Sequence, residues 1–131
     1  MAGGMLEGVR VVDLTSVVVG PLCTQILADH GADVVKVESP TGDIGRFLHL
    51  NRNKRSISLD LKHADGYAAM MKLVERADVL LWNVRPPSMA RLKLGYDDVR
   101  AVNPRIIYCG MFGFGQDGRY AERPAYDSII Q

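Results

Sequence analysis

Residues 9–21 constrain this chain more than any other stretch. Val9-Arg10-Val11-Val12-Asp13-Leu14 is an apolar run that stops at Thr15-Ser16, and after three valines Gly20-Pro21 opens a helix. A strand, a tight turn and a helix in that order make the opening unit of a parallel α/β sheet. Ligands of such sheets lie in the crevice outside the carboxyl ends of the strands, facing the free N–H groups of a helix N-terminus. Pro21 suits a first helical position, because the N–H it lacks would have had no partner there.

The remainder repeats this unit. Strands are expected at about residues 9–14, 32–38, 55–61, 78–84 and 105–111. A first helix is expected over about 21–30, where Leu22, Cys23, Ile26 and Leu27 recur at helical spacing and Gly31 supplies a stop. A second covers about 64–77, with Tyr67, Met70, Met71 and Val74 on one face. Pro86-Pro87 breaks the chain before a short helix carrying Met89 and Leu92, and another follows near 96–102. The strand at 78–84 is nearly all apolar, which predicts burial on both sides. The loop at 41–53 is expected to hold a short helical turn, and a glycine-rich loop at 110–118 leads towards a new helix at the end of the chain. Alternating strands and helices imply right-handed crossovers and a parallel sheet.

Composition removes several function classes. With 131 residues the chain can bury a core. A net charge of +1 gives no global field to draw nucleic acid or a membrane surface. The two cysteines, Cys23 and Cys109, suit a reducing compartment and suggest no disulfide framework. No apolar stretch is long enough for a membrane span, and the N-terminus has no secretory pattern, so a soluble cytoplasmic protein is expected. His30, His49 and His63 have no metal-ligand spacing, and no metal is expected.

Several stretches carry candidate chemistry. The first turn has a single glycine, which argues against a dinucleotide fingerprint although Glu38 ends the second strand. Val17, Val18 and Val19 instead set backbone amides and apolar side chains at a helix mouth, which suits an uncharged, partly apolar ligand arm. Arg46, Arg52, Lys54 and Arg55 form a basic cluster that reads either as a solvated loop or as a phosphate cradle joined by Arg85 and Arg91. Gly110, Gly113, Gly115 and Gly118 read as a flexible loop or as a wall lying close to a ligand. Cys109 reads as core, and Tyr126-Asp127 as an edge aromatic and a helix cap.

Taken together, a series of blocks resembles the class III coenzyme A transferases, a family that also contains the α-methylacyl-CoA racemases. The blocks are Leu6-Glu7-Gly8-Val9-Arg10-Val11-Val12-Asp13-Leu14; Gly20-Pro21; residues 27–38, which read LADHGADVVKVE; Asn51-Arg52-Asn53-Lys54-Arg55-Ser56-Ile57; Leu59-Asp60-Leu61-Lys62; Ala77-Asp78-Val79-Leu80; Asn83-Val84-Arg85-Pro86; Leu94-Gly95-Tyr96; Asn103-Pro104-Arg105; Gly113-Phe114-Gly115-Gln116-Asp117-Gly118; and Arg123-Pro124-Ala125-Tyr126-Asp127. They run in family order from residue 6 to 131.

The resemblance implies a Rossmann-like three-layer domain with a mostly parallel sheet, of which this chain is the N-terminal part, with the small domain and C-terminal segment absent. It implies acyl-CoA and a carboxylic acid as substrates, coenzyme A being a substrate and not a tightly bound cofactor. Val17, Val18 and Val19 match the turn that lines the thiol arm of CoA. Leu59, Asn83, Val84, Arg91 and Leu92 match positions that hold the nucleotide and pantetheine. The family's nucleophilic aspartate forms anhydride and thioester intermediates. It lies beyond this chain, so the 131 residues alone are expected to be inactive. Tyr126 and Asp127 match its active-site neighbours. Tyr126 stands where the racemases carry a histidine base, and a phenol with a pKa near 10 is a poor base, which favours the transferases. Val18 stands where the oxalate-using formyl-CoA transferases carry glutamine, which speaks against formate and oxalate chemistry, and Arg119 replaces a common proline. An interlocked homodimer is implied for the family. A racemase-like enzyme and a non-catalytic CoA-binding fragment are the alternatives.

Overall fold

The structure, a computed structural model, describes residues 3–41 and 48–125. Five parallel strands form one sheet: β1 (Arg10–Leu14), β2 (Asp33–Glu38), β3 (Arg55–Ser58), β4 (Val79–Trp82) and β5 (Ile107–Gly110). Their spatial order is β3-β2-β1-β4-β5. The chain first steps outward from β1 to β3 and then crosses back to place β4 on the other side of β1. That reversal puts a topological switch point between β1 and β4. The Rossmann-like α/β reading is therefore borne out.

The helices divide between the two faces. α1 (Val19–Asp29) lies on one, and α2 (Ala64–Arg76), α3 (Pro86–Arg91) and α4 (Tyr96–Val102) cover the other. Alternation along the strands decides which residue faces which layer. Val12, Val37, Leu80 and Trp82 point to the three-helix side, where Met70, Val74, Met89, Leu94 and Val99 meet them in the larger core. Val11, Val34 and Leu81 point to the α1 side and pack with Ala28 and Ala32. Leu80, Leu81 and Trp82 are all buried, as the apolar run predicted.

Side chains close the gaps between elements on the three-helix side. Asn103 donates from Nδ2 to the carbonyls of Val74 and Ala77 at 2.9 and 2.7 Å, satisfying the end of α2. The hydroxyls of Tyr67 and Tyr108 donate to the carbonyls of Lys93 and Leu94 at 3.0 and 2.8 Å, pinning the α3–α4 connection.

The boundaries depart from expectation at two informative places. α1 begins at Val19, so Pro21 is the third helical residue and not the first. The first helical bond is Leu22 N–H to the Val18 carbonyl, so the third residue needs no N–H and the proline is tolerated. β3 ends at Ser58, and Leu59 and Leu61 turn inward to pack on the larger core. At the C-terminal end of α1, Gly31 has φ +100°, a left-handed conformation that ends the helix cheaply.

Candidate functional site

The turn after β1 stands at the switch point. Asn83, just past β4, holds it in place. Its Oδ1 accepts from the Ser16 N–H at 2.9 Å and its Nδ2 donates to the Ser16 carbonyl at 2.8 Å. A primary amide is the side chain that can answer both the N–H and the C=O of one residue. Val17, Val18 and Val19 are thereby displayed, 60%, 44% and 59% exposed. Val17 has φ +67°, a left-handed conformation that a β-branched residue rarely takes. α1 starts here with no side-chain cap and no acidic residue in its first turn, so its own sequence does not offset the positive end of the helix dipole.

Beneath the turn lies a buried ionic network that the sequence reading did not find. Asp13, the penultimate residue of β1, is fully buried. Its Oδ1 accepts from both the N–H and the hydroxyl of Thr15. Its Oδ2 accepts from the Thr24 hydroxyl at 2.6 Å and from Lys54 Nζ at 3.0 Å. Lys54 Nζ also donates to the Pro21 carbonyl at 2.9 Å and to Asn51 Oδ1 at 3.0 Å. Lys36 Nζ lies 3.7 Å from the same Asp13 oxygen and donates to the Thr15 carbonyl at 2.8 Å. Burial pushes the Lys54 ammonium below its ordinary range, and the Asp13 carboxylate partly opposes that shift. The signal was legible in principle. Asp13 and Lys36 are charged residues in the middle of apolar strands, and the register pairs them directly.

This arrangement overturns the phosphate-cradle reading of the basic cluster. Lys54 belongs to the buried network. Arg52 grips Asp29 through Nε and a terminal nitrogen, at 3.3 and 2.6 Å, and Asn53 joins it at 2.8 Å. Arg55 opens β3 and pairs with Asp33 at the amino ends of the strands, opposite the crevice. Arg46 lies outside the described residues. Each described member already pairs with a carboxylate, because the acids sit on neighbouring elements far away in sequence.

The other anticipated positions fall along the carboxyl edge. Leu59 follows β3, two strand spacings or about 10 Å from β1; it is half-buried against the larger core. Val84 and Leu92 are also half-buried there. Arg91 is exposed and donates to Ser88 Oγ at 2.9 Å. With Arg85, Pro87, Ser88, Ala121 and Glu122 it lines a recess of about 250 Å³. The structure thus joins Val17, Val18 and Val19 to Asn83 through Ser16, and Arg91 to Arg85 through the recess. Tyr126 and Asp127 lie outside the described residues. The glycine-rich loop contains no helix; Arg119 and Arg123 stack over the Tyr120 ring at 4.7 and 4.8 Å.

Cys23 and Cys109 are both free thiols, half-buried on the α1 side, and burial raises the Cys23 pKa. Among the described residues no cluster of His, Cys, Asp or Glu could hold a metal ion, and no helix is long and apolar enough to cross a membrane.

Known proteins share this fold. A solved CAIB/BAIF family protein from Brucella suis superposes with a TM-score of 0.91 at 38% identity, covering 99% of this chain and 39% of that one. A putative β-ketoacyl-ACP reductase, 18% identical with a TM-score of 0.51, shares the fold alone. An acyl-CoA transferase of Fusarium pseudograminearum is 42% identical over 148 residues, 96% of this chain and 32% of its own length. A formyl-CoA:oxalate CoA-transferase of Streptomyces avermitilis is 44% identical over 96% of this chain and 34% of its length. A succinate–glutarate CoA-transferase of Agrobacterium fabrum is 40% identical over 96% and 36%. The chain therefore spans about a third of the curated relatives it matches. The family model for CoA-transferase family III matches residues 6–131, and the chain belongs to that family.

Proposed function

We propose that this chain forms the CoA-binding, N-terminal part of an enzyme that moves coenzyme A from an acyl-CoA to a carboxylic acid. The observation that carries the reading is the apolar turn at the switch point, displayed by Asn83, two residues ahead of the Arg85 that with Arg91 lines a recess. Val17, Val18 and Val19 offer the pantetheine and thiol arm an apolar wall with backbone amides. Asn83, Val84, Leu59 and Leu92 shape the edge along which the arm runs, and Arg91 meets phosphate. The relatives named above act on different acids, oxalate in one and glutarate in another, and share transfer of CoA.

In this proposal the aspartate nucleophile comes from outside the 131 residues, and Tyr126 and Asp127 stand beside it. The nucleophile attacks the thioester carbonyl and releases CoA thiolate; the thiolate attacks the aspartyl carbonyl of the mixed anhydride, forming an aspartyl-CoA thioester and expelling the donor acid. The acceptor carboxylate then displaces the thiolate to form a second anhydride, and the thiolate attacks its acceptor carbonyl, giving the new acyl-CoA and the free aspartate. The small domain and an interlocked homodimer belong to the same proposal, as does a cytoplasmic location.

The test uses the intact natural protein, an acyl-CoA and a panel of carboxylic acids, with products followed by mass spectrometry. CoA appearing on the acceptor acid is the expected result. Arg91→Ala should raise the KM for acyl-CoA about tenfold, the loss of one charge-assisted phosphate contact. Wild-type protein that does not bind CoA would overturn the proposal. Deuterium wash-in at the α-carbon of a 2-methylacyl-CoA without transfer would move the assignment to the racemases.

A further inference from the structure

We propose that Asp13, Lys36 and Lys54 are positioning residues, which hold the turn at 15–20 in one shape and so set how tightly the thioester arm is bound. The proposal rests on the reading that this turn receives the arm of CoA. None of the three side chains can touch a ligand: 0%, 8% and 1% of their surface is exposed. They act only through the backbone they grip.

That backbone is the turn itself. The Asp13 carboxylate offers about four lone-pair sites, and all are taken by groups that flank the turn or bridge to it. Thr15 N–H and Oγ1 belong to its start, and Thr24 Oγ1 to the helix that leaves it. Lys54 completes the set and reaches past Asp13 to the Pro21 carbonyl. Lys36, from β2, holds the Thr15 carbonyl. Both ends of the turn are therefore fixed to one carboxylate by side chains from three different segments. Between those fixed ends lies Val17, whose positive φ persists only where the surroundings over-determine it. Gly20 adds a steric limit, because a Cβ there would meet the Thr15 side chain at 2.3 Å.

A buried carboxylate with two ammoniums is a poor way to gain stability, since apolar residues of similar size would pack as well without losing solvation. What the charges add is direction. Each hydrogen bond has one geometry, and the apolar alternative would leave the turn free to choose among several. Lys54 also ties the turn to residues 48–54, whose Arg52 and Asn53 grip Asp29 at the far end of α1. That segment holds α1 at both ends, so the helix cannot slide and carry the turn with it.

The test measures CoA affinity by calorimetry and full kinetics in the intact natural protein. Lys54→Met removes the ammonium at similar length. It should weaken CoA and raise the KM for acyl-CoA by about tenfold, with kcat and the KM for the acceptor acid within about twofold. A purely structural role would lower the melting temperature and leave the KM of the folded protein unchanged. Thr24→Val keeps shape and loses the hydroxyl; Thr24→Ser keeps the hydroxyl. The valine variant should weaken CoA about threefold and the serine variant should stay within about twofold of wild type. If Lys54→Met does not fold, the Thr24 pair decides, and equal affinity in both overturns the proposal. Folded Lys54→Met with wild-type affinity also overturns it. Val18→Asp, on the outside of the turn, separates this from the parent reading. Loss of CoA in Val18→Asp with retention in the network variants overturns only the positioning role. Retention in Val18→Asp overturns the assignment of the turn.

Discussion

The two faces of the sheet are stabilised by different means. On the three-helix side, Met70, Val74, Leu80, Met89, Leu94 and Val99 are shielded almost completely, and apart from the Trp82 indole N–H, which is buried without a hydrogen-bond partner, the polar groups lie at its margins. On the α1 side a smaller apolar cluster shares the layer with Asp13, Lys36, Thr15 and Thr24. α1 leaves Leu22 and Ile26 open, and Ile107 on the edge strand is 61% exposed. One face is held by shape and the other by directed bonds, and the candidate ligand turn grows from the second. Shape complementarity tolerates small repacking, whereas a saturated carboxylate permits only one arrangement of its partners.

That contrast is open to direct attack. Asp13→Ala strands two buried ammoniums without a counter-charge and should cost about 3–5 kcal/mol by urea unfolding; a loss below about 1 kcal/mol would mean the network is not what holds the α1 face. Leu80→Ala, at a fully buried position on the other face, should cost about 3 kcal/mol through lost burial and a cavity. Its effect should leave CoA affinity untouched, and a fall in affinity would show that the faces are not independent. Gly20→Ala should cost about 2 kcal/mol, because its Cβ would lie 2.3–2.7 Å from Thr15 atoms that have no room to move.

The smallest effect concerns Tyr108, whose hydroxyl donates to the Leu94 carbonyl. Burial, with Asp98 adding to it, pushes its pKa up to about 12. The folded state holds that proton more tightly than the unfolded chain, where the phenol titrates near 10. Its contribution is therefore full below about pH 10 and disappears as the pH rises through about 12. Tyr108→Phe should lose about 1 kcal/mol at neutral pH and flatten this alkaline decline. An unchanged pH profile in the variant would assign the decline to another group.

Much of the architecture was readable because it follows local pattern. Apolar runs of strand length, 3.6-residue spacing in α2 and glycine at the end of α1 each announce themselves within a few residues. The ionic network did not, because its members meet across the sheet: Lys54 reaches Asp13 from 41 residues away. The same nonlocality defeated the phosphate-cradle reading, since Asp29 and Asp33 claim Arg52 and Arg55 only after α1 and β2 have been placed. Asn83 was anticipated as a ligand-edge residue through family resemblance. Its two hydrogen bonds to the Ser16 backbone depend on β1 and β4 being neighbours, and only the strand order supplies that.

The position of β1 has a consequence for how the chain comes off the ribosome. Of the five strands β1 is synthesised first, and it lies in the middle of them, flanked by β2 on one side and β4 on the other. Every ionic partner of Asp13 has been synthesised by residue 54, but the amide that fixes the turn from the opposite side is residue 83. The nascent protein therefore owns the floor of its crevice well before it owns the wall. One flank of β1 keeps its backbone hydrogen-bonding groups bare until β4 arrives, and vectorial synthesis makes that interval an exposure to mispairing that the finished sheet removes.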